Sequence, residues 1–410
     1  MIDGIIRKIK ERGIKNCIIF ALINYPHKLI YICLDLVMSK LPIKRNIIVF
    51  SSTPDYSDNS KALYDYYIKK YPAYKAVWLL ENSTPKDYAH NKNTKTIFVK
   101  SKQQYLNHMT LKALFYCHKA SVIYYTHTPI KIRKPKNKQQ TTIVNLWHGC
   151  GFKDNESNRK RDMGFDLALV PGELFIDAKA KFWSCEKEKI IPIGYPRYDL
   201  LLQKNNHKEE KKRIIWMPTF RKSQNRFFPE SSISQKYDLP ALSGRDDLIK
   251  INNLCKSSNI ELIIKRHPFQ QEYDAEHLHL SNISFLSNND LKRKKQELYS
   301  LLANTDGLIT DYSSVSFDYL LIDKPIAYIL DDYEEYREKR GFIFKEPQKY
   351  MAGHHIYATE DILKFIKDIA NNKDTYATER HKLLKKAQNP TNNYCQRIID
   401  YIENYKLKGY

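Results

Sequence analysis

Two residue types placed at the ends of apolar runs carry the chemical content of this chain: imidazoles, and clusters of hydroxyls with cations. Gly307-Leu308-Ile309-Thr310 is a short apolar run. It is followed by Asp311-Tyr312-Ser313-Ser314 and then by Val315 onward (VSFDYLLI), which has the apolar spacing of a helix packed on a sheet. Strand, polar turn and helix start bring backbone N–H groups and a helix dipole to one point, which suits a phosphate. Ser313 and Ser314 add hydroxyls, and Asp318, one helical turn beyond Ser314, is placed to face the same ligand.

Four other turns follow apolar runs in the same way. After Ile143–Leu146 come Trp147-His148-Gly149, where a histidine near neutral pKa suits a general base and the glycine allows close backbone approach. After Ile190–Ile193 come Gly194-Tyr195-Pro196-Arg197, ending in a guanidinium that can fork onto phosphate. After Ile214–Trp216 come Met217-Pro218-Thr219-Phe220-Arg221, a hydroxyl and a cation. After Ile260–Ile264 come Lys265-Arg266-His267, two cations and a second imidazole. Any one of these has an ordinary structural explanation. Five together, each with His, Arg, Lys, Ser or Thr, point to an anion-binding catalytic site.

The elements that must position them read as alternating strand and helix. From Asn46, short apolar runs (Ile47–Phe50, Val77–Leu80, Thr96–Val99, Val122–Tyr125, Ile143–Leu146, Leu167–Val170, Ile190–Ile193) alternate with helix-length stretches such as Lys61–Lys70 and Gln103–His118. Lys204–Arg213 (KNNHKEEKKR) has no large apolar residue and reads as a linker. The alternation restarts with Ile214–Met217, Ile260–Lys265, Ile283–Leu286, Gly307–Thr310 and Ile326–Leu330, with helical stretches at Asp246–Ser257 and Leu291–Ala303. Asp361–Leu407 is helical in pattern, broken at Asn389-Pro390. The expected organisation is an α/β chain of two parallel-sheet, Rossmann-like domains facing a cleft, residues 47–203 and 214–390, joined by the linker at 204–213. A C-terminal helix covers 391–410. Ligands of such sheets sit beyond the carboxyl ends of the strands.

Residues 1–46 differ. Ile2, Ile5, Ile6 and Ile9 recur at helical spacing among Arg7, Lys8, Lys10, Arg12 and Lys15, and the apolar run Cys17–Ile23 is too short to span a bilayer. No signal-cleavage site follows, so the segment reads as a basic amphipathic helix lying on an anionic membrane face. A helix pair packed on the first domain is the alternative.

The 410 residues suffice for two cores, and 42% hydrophobic with 28% charged residues fits a globular protein. The formal charge of +22 predicts an anionic partner: nucleic acid, acidic membrane or phosphorylated substrate. The basic residues do not alternate with aromatics as in an RNA-binding motif, which argues against nucleic acid. Seven scattered cysteines without CxxC or zinc-like spacing favour a reduced compartment and no structural metal.

Taken in order, WHG at 147–149, GYPR at 194–197, PTFR at 218–221, RHP at 266–268, TDYSSVSFDY at 310–319, DKP at 323–325 and EEYREKRGF at 334–342 resemble the CDP-glycerol glycerophosphotransferase family of teichoic-acid polymerases and primases. The match covers roughly residues 140–345. The resemblance implies a GT-B fold and transfer of an alditol phosphate from a CDP-activated donor to a hydroxyl, with release of CMP. It implies donor contacts at Trp147, His148, Gly149, Arg197, Pro218, Thr219, Arg266, His267, Ser313, Ser314 and Asp318, and peripheral attachment at the cytoplasmic face of the membrane, where lipid-linked glycan acceptors are built. The family commonly has Thr-Pro after WHG; here Cys150-Gly151 stand there.

On this reading an acceptor hydroxyl attacks the phosphorus bearing the alditol. His148 is its base. Arg197, Lys265, Arg266 and the Ser313-Ser314 turn hold the diphosphate, with Arg221 and Asp311 in the substrate-binding set. His267 bonds a phosphate oxygen or acts as acid to the leaving group, and Asp318 fixes a ribose hydroxyl, a glycerol hydroxyl or the His267 tautomer. No Asp-x-Asp motif occurs, so no cofactor and no protein-held metal is expected, Mg²⁺ arriving only with the diphosphate. The donor alditol is left open between glycerol, ribitol and others. A GT-B glycosyltransferase using a sugar nucleotide is the competing enzyme.

Overall fold

The computed structural model describes residues 26, 28–81, 92–98, 109–134, 141–154, 163–203, 211–219, 239–266 and 274–407. Among them, contacts define two compact units. Residues up to His148, Met163–Leu169 and the end of the chain from Ile398 form the first; Gly149–Asp162 and Val170–Arg397 form the second.

In the first unit the strands are β1 (Lys44–Ser51), β2 (Lys75–Leu80), β3 (Thr94–Phe98), β4 (Ala120–Tyr125), β5 (Thr142–Asn145) and β6 (Leu167–Leu169). They run parallel in the order β3-β2-β1-β4-β5-β6. Their near-continuous apolar sequences are those of strands covered on both faces. Val49, Phe50, Trp78 and Tyr124 are fully buried. Phe50 stacks on Trp78 and Tyr124 with centroids 5.6 and 5.4 Å apart. The helix Asp58–Lys70 closes this core with Leu63, Tyr64 and Tyr67.

The second unit has a short strand β7 (Ile190–Ile191) and a six-stranded parallel sheet. Its strands are β8 (Lys212–Trp216), β9 (Ile260–Lys265), β10 (Ile283–Leu286), β11 (Gly307–Thr310), β12 (Ile326–Ile329) and β13 (His354–Ile356). The order is β10-β9-β8-β11-β12-β13. Ile214, Trp216, Leu262, Ile264, Ile309 and Ile329 pack with Phe365 and Ile366 of the helix Thr359–Ala370 in its core.

Several expectations from pattern need adjusting. Lys212 and Arg213, placed in the linker by their charge, already pair in β8, with Arg213 Nε 2.8 Å from Glu261; residues 204–210 lie outside the described residues. The second compact unit starts well before that charged stretch. Residues 149–154 and 170–203 make contacts with the second sheet's loops: Lys153 bridges Phe342, and Gly172 packs on the Ala387 backbone. The stretch Leu291–Ala303 is two helices, Asn288–Arg293 and Leu298–Leu302, separated where Lys295 adopts φ +51°. Strand β13 begins with two histidines, so no apolar run announced it. Of the basic N-terminal segment, residues 1–25 and 27 lie outside the described residues, and 28–38 are helical.

Candidate active site

In the second sheet the chain runs from β8 outward through β9 and β10, then returns to place β11, β12 and β13 on the other side of β8. The turns after β8 and β11 therefore part at a topological switch point, where open α/β sheets receive ligands. Thr219 and Asp311 hold that point. The Thr219 N–H donates to Asp311 Oδ2 at 2.7 Å and the Thr219 hydroxyl donates to Oδ1. Asp311 is fully buried, so its carboxylate serves to fix the Pro218-Thr219 turn. Lys153 brings its ammonium to 3.5 Å from Thr219 Oγ1. Arg221, the other cation expected from this turn, lies outside the described residues.

The Ser313-Ser314 turn departs from the helix-start expectation. The helix that follows, Val315–Tyr319, is five residues long and passes into a 3₁₀ turn at Leu320–Ile322, so its dipole is that of little more than one turn. Ser314 precedes the helix with φ −63° and makes no side-chain cap. Among the described residues neither serine hydroxyl has a hydrogen-bond partner; the carbonyls accept from Ser316, Phe317 and Asp318. Two glycines lie against this turn. A Cβ on Gly149, whose φ is +135°, would meet Ser314 Oγ at 2.4 Å and Arg197 Nη2 at 3.2 Å. One on Gly151 would meet the Ser314 amide nitrogen at 2.8 Å. Between them Cys150 is fully buried with Sγ 3.2 Å from the Tyr195 hydroxyl, and burial pushes its thiol pKa up. The Cys150-Gly151 pair is thus a packed element that carries the backbone onto Ser314.

Asp318 does not share an open face with Ser314. It is fully buried, and its carboxylate accepts from Arg197 Nη2 at 2.7 Å and from the Tyr198 and Tyr299 hydroxyls. The Arg197 guanidinium lies over the Tyr299 ring at 4.5 Å and near the Tyr195 ring at 5.1 Å, and the residue is 4% exposed. Asp318 and the two rings hold Arg197 in place; the expected open fork is a clamped cation beside Gly149. Burial, then the Asp318 charge, raises the Tyr198 pKa well above the usual phenol value, so Tyr198 stays a donor.

At the end of β9, Lys265 is buried and donates to the Arg266 carbonyl at 2.8 Å and Asn288 Oδ1 at 2.7 Å. Burial, reinforced by the neighbouring Arg266 charge, lowers its pKa to about 8, against the opposing pull of Asp290. Arg266 Nε stands 3.2 Å from Glu276 Oε1. His267 lies outside the described residues.

The Trp147-His148 turn belongs to the first unit. Trp147 adopts φ +53°, a region a bulky side chain rarely enters. The turn is secured by Asn145 Oδ1, which accepts from the Trp147 N–H at 2.9 Å. Asn59 Nδ2 donates to the Trp147 carbonyl at 2.8 Å. His148 stacks on His127, with ring centroids 4.1 Å apart and planes 9° from parallel.

The structure thus joins Gly149, Arg197, Ser314 and Asp318 in one set of contacts and Thr219 with Asp311 in another, both within the second unit. Sequence reasoning missed Lys153, Tyr198, Tyr299, Asn59 and His127. His127 was within reach, since it follows the run Val122–Tyr125 at a strand end. Tyr299 and Asn59 lie on helices remote in sequence and gave no local signal.

Two Rossmann-like parallel-sheet units, with hydroxyls and cations gathered at strand ends, define an α/β protein of the GT-B-like fold class. The model of the CDP-glycerol:poly(glycerophosphate) glycerophosphotransferase family matches residues 34–404, and the chain belongs to that family. It is 28% identical over 375 residues to a teichoic acid poly(glycerol phosphate) polymerase of Bacillus subtilis (strain 168), covering 83% of this chain but 46% of that protein. It is 28% identical over 394 residues to the polymerase of the same name from Bacillus spizizenii, covering 84% of this chain and 89% of that one. The solved structure of the wall teichoic acid polymerase TagF has the same fold: TM-score 0.68, 22% identity, 92% of this chain and 93% of that one.

Proposed function

We propose that the protein moves glycerol phosphate, or a related alditol phosphate, from a CDP-activated donor to a hydroxyl of a lipid-linked glycan or polyol-phosphate acceptor, releasing CMP. The observation that carries this, beside family membership, is the turn after β11. Two serine hydroxyls without protein partners among the described residues stand where Gly149 and Gly151 bring backbone to their side, with the Arg197 cation adjacent. Hydroxyls and a cation gathered at one turn suit a diphosphate whose charge grows on the leaving CMP. Lys265 and Arg266 supply positive charge from the neighbouring strand β9, and Asp311 and Asp318 act through Thr219 and Arg197.

The acceptor oxygen forms the new P–O bond while the bond to CMP breaks; CMP leaves with the electron pair. His148 takes the acceptor proton. It is the residue before Gly149 in the sequence. His267 serves the leaving group. The reading gives the protein no resident metal, Mg²⁺ entering only on the diphosphate. Among the described residues, no group of three or more His, Cys, Asp or Glu is placed to hold a metal.

The site of action proposed is the cytoplasmic face of the membrane, held peripherally. No helix among the described residues is long and apolar enough to cross a bilayer. Residues 28–38 expose Leu29 (65%), Ile30, Ile32, Leu36 and Val37 (61%) on a chain of charge +22, which fits a helix seated in an anionic surface.

The test incubates the protein with CDP-glycerol or CDP-ribitol and a membrane fraction and measures released CMP. His148→Ala should abolish release and leave the melting transition unchanged. Turnover near the unsubstituted rate in that variant removes His148 from the mechanism, and release of UMP, UDP or GDP from sugar nucleotides in place of CMP overturns the donor class.

A further inference from the structure

The first sheet also has a switch point. From β1 the chain runs through β2 and β3 on one side, and β4, β5 and β6 lie on the other. The residues that follow β1, β2 and β4 there are Ser52, Thr53, Asp55, Glu81, Thr126, His127 and Thr128. Thr53, Asp55, Glu81 and Thr128 are linked by hydrogen bonds, and Thr126 bonds His127. Thr128 Oγ1 donates to Glu81 Oε1 at 3.1 Å and lies 3.5 Å from Thr53 Oγ1, and the Glu81 N–H donates to Asp55 Oδ1 at 2.8 Å. His127 Nδ1 is 2.9 Å from Thr126 Oγ1. The set holds two carboxylates and no Lys or Arg, so it is not a second phosphate cradle. What it does is hold the segment that carries His127.

His148 has two kinds of freedom to lose. Asn145 and Asn59 fix its backbone through Trp147. They leave the ring, whose χ2 torsion is broad and roughly two-fold. A parallel ring at 4.1 Å blocks that rotation, because the imidazole edge cannot sweep through the His127 face. The Trp147 ring, at 4.0 Å and 39°, restricts it further. A base must keep one nitrogen within hydrogen-bond reach of the proton it takes, and a misplacement of about 1 Å costs on the order of 10²-fold in rate.

We propose that His127 is a positioning residue for the transfer reaction: its ring is the flat stop that holds the His148 imidazole in its working orientation. The inference rests on the reading of His148 as the base. It assigns to His127 no proton transfer, only a face, so a different flat ring should replace it.

The experiment compares His127→Ala, His127→Phe and His127→Gln by steady-state CMP release with CDP-glycerol and membrane acceptor, after thermal melts confirm folding. H127A and H127Q should lose roughly 10- to 100-fold in kcat, with the donor KM within about twofold, as expected for a loss felt in the transition state. H127F should recover most of that loss. Should H127A not fold, the contrast between H127F and H127Q decides. Unchanged kcat in folded H127A, or H127F as impaired as H127Q, overturns the proposal. Full activity in H148A sinks the base assignment itself, whereas an inactive H148A beside a fully active H127A sinks only the role given to His127.

Discussion

Lys265 is the most testable cation in the structure because its environment sets a magnitude and a sign. Its pKa is held at about 8 instead of 10.5, chiefly by burial and then by Arg266. That difference corresponds to about 3 kcal/mol of disfavour for the charged form in the folded chain. Because the folded value lies below the unfolded one, the unfolded chain holds the proton over the window from about 8 to 10.5, so stability rises with pH there. Lys265→Met removes the titration along with the hydrogen bonds to the Arg266 carbonyl and Asn288. Urea unfolding at pH 7, 8, 9 and 9.5 should show the parent gaining about 2 kcal/mol relative to K265M between pH 8 and 9.5. On the proposed function, an anionic ligand offsets this cost. If CMP binding returns the pKa to its ordinary range, binding at pH 8.5 should take up about 0.7 proton per site, read by calorimetry in buffers of different ionisation enthalpy. Parallel pH-stability curves for parent and K265M refute the electrostatic reasoning. Proton uptake identical in both proteins refutes the link to the ligand.

Two further outcomes follow from packing and exposure. Gly149→Ala places a Cβ 2.4 Å from Ser314 Oγ on a backbone of φ +135°, and should cost about 1–3 kcal/mol of stability and most CMP release. Gly244→Ala, with open space around its Cβ, should change neither, and equal melting temperatures for the two variants would discard the close-packing argument. Replacing Leu29, Ile30 and Val37 together by Ser should weaken sedimentation with phosphatidylglycerol vesicles by at least about tenfold while CMP release with a soluble acceptor persists; unchanged sedimentation removes residues 28–38 from membrane binding.

The amino-acid sequence by itself determined the alternation of buried strands and helices, since period and apolar run length depend on near neighbours. Twelve of the expected runs correspond to strands β1 to β12. It also placed the candidate polar and charged side chains in turns that follow strands, because strand ends in an open parallel sheet are where polar groups are tolerated and ligands enter. What it did not carry was the direction of each side chain. Asp318 was expected to meet a ligand because one helical turn separates it from Ser314. Burial and three donors, two of them Tyr198 and Tyr299, instead make it the anchor of Arg197. Asp311 was grouped with the ligand contacts and is spent on Thr219. The stack of His127 on His148 joins residues 21 positions apart in the turns after strands β4 and β5, and no local pattern encodes a ring-to-ring distance. The tertiary structure decided these matters because a carboxylate or an imidazole acquires its role from what desolvates it and what donates to it. Those partners come from segments that only the folded chain brings together.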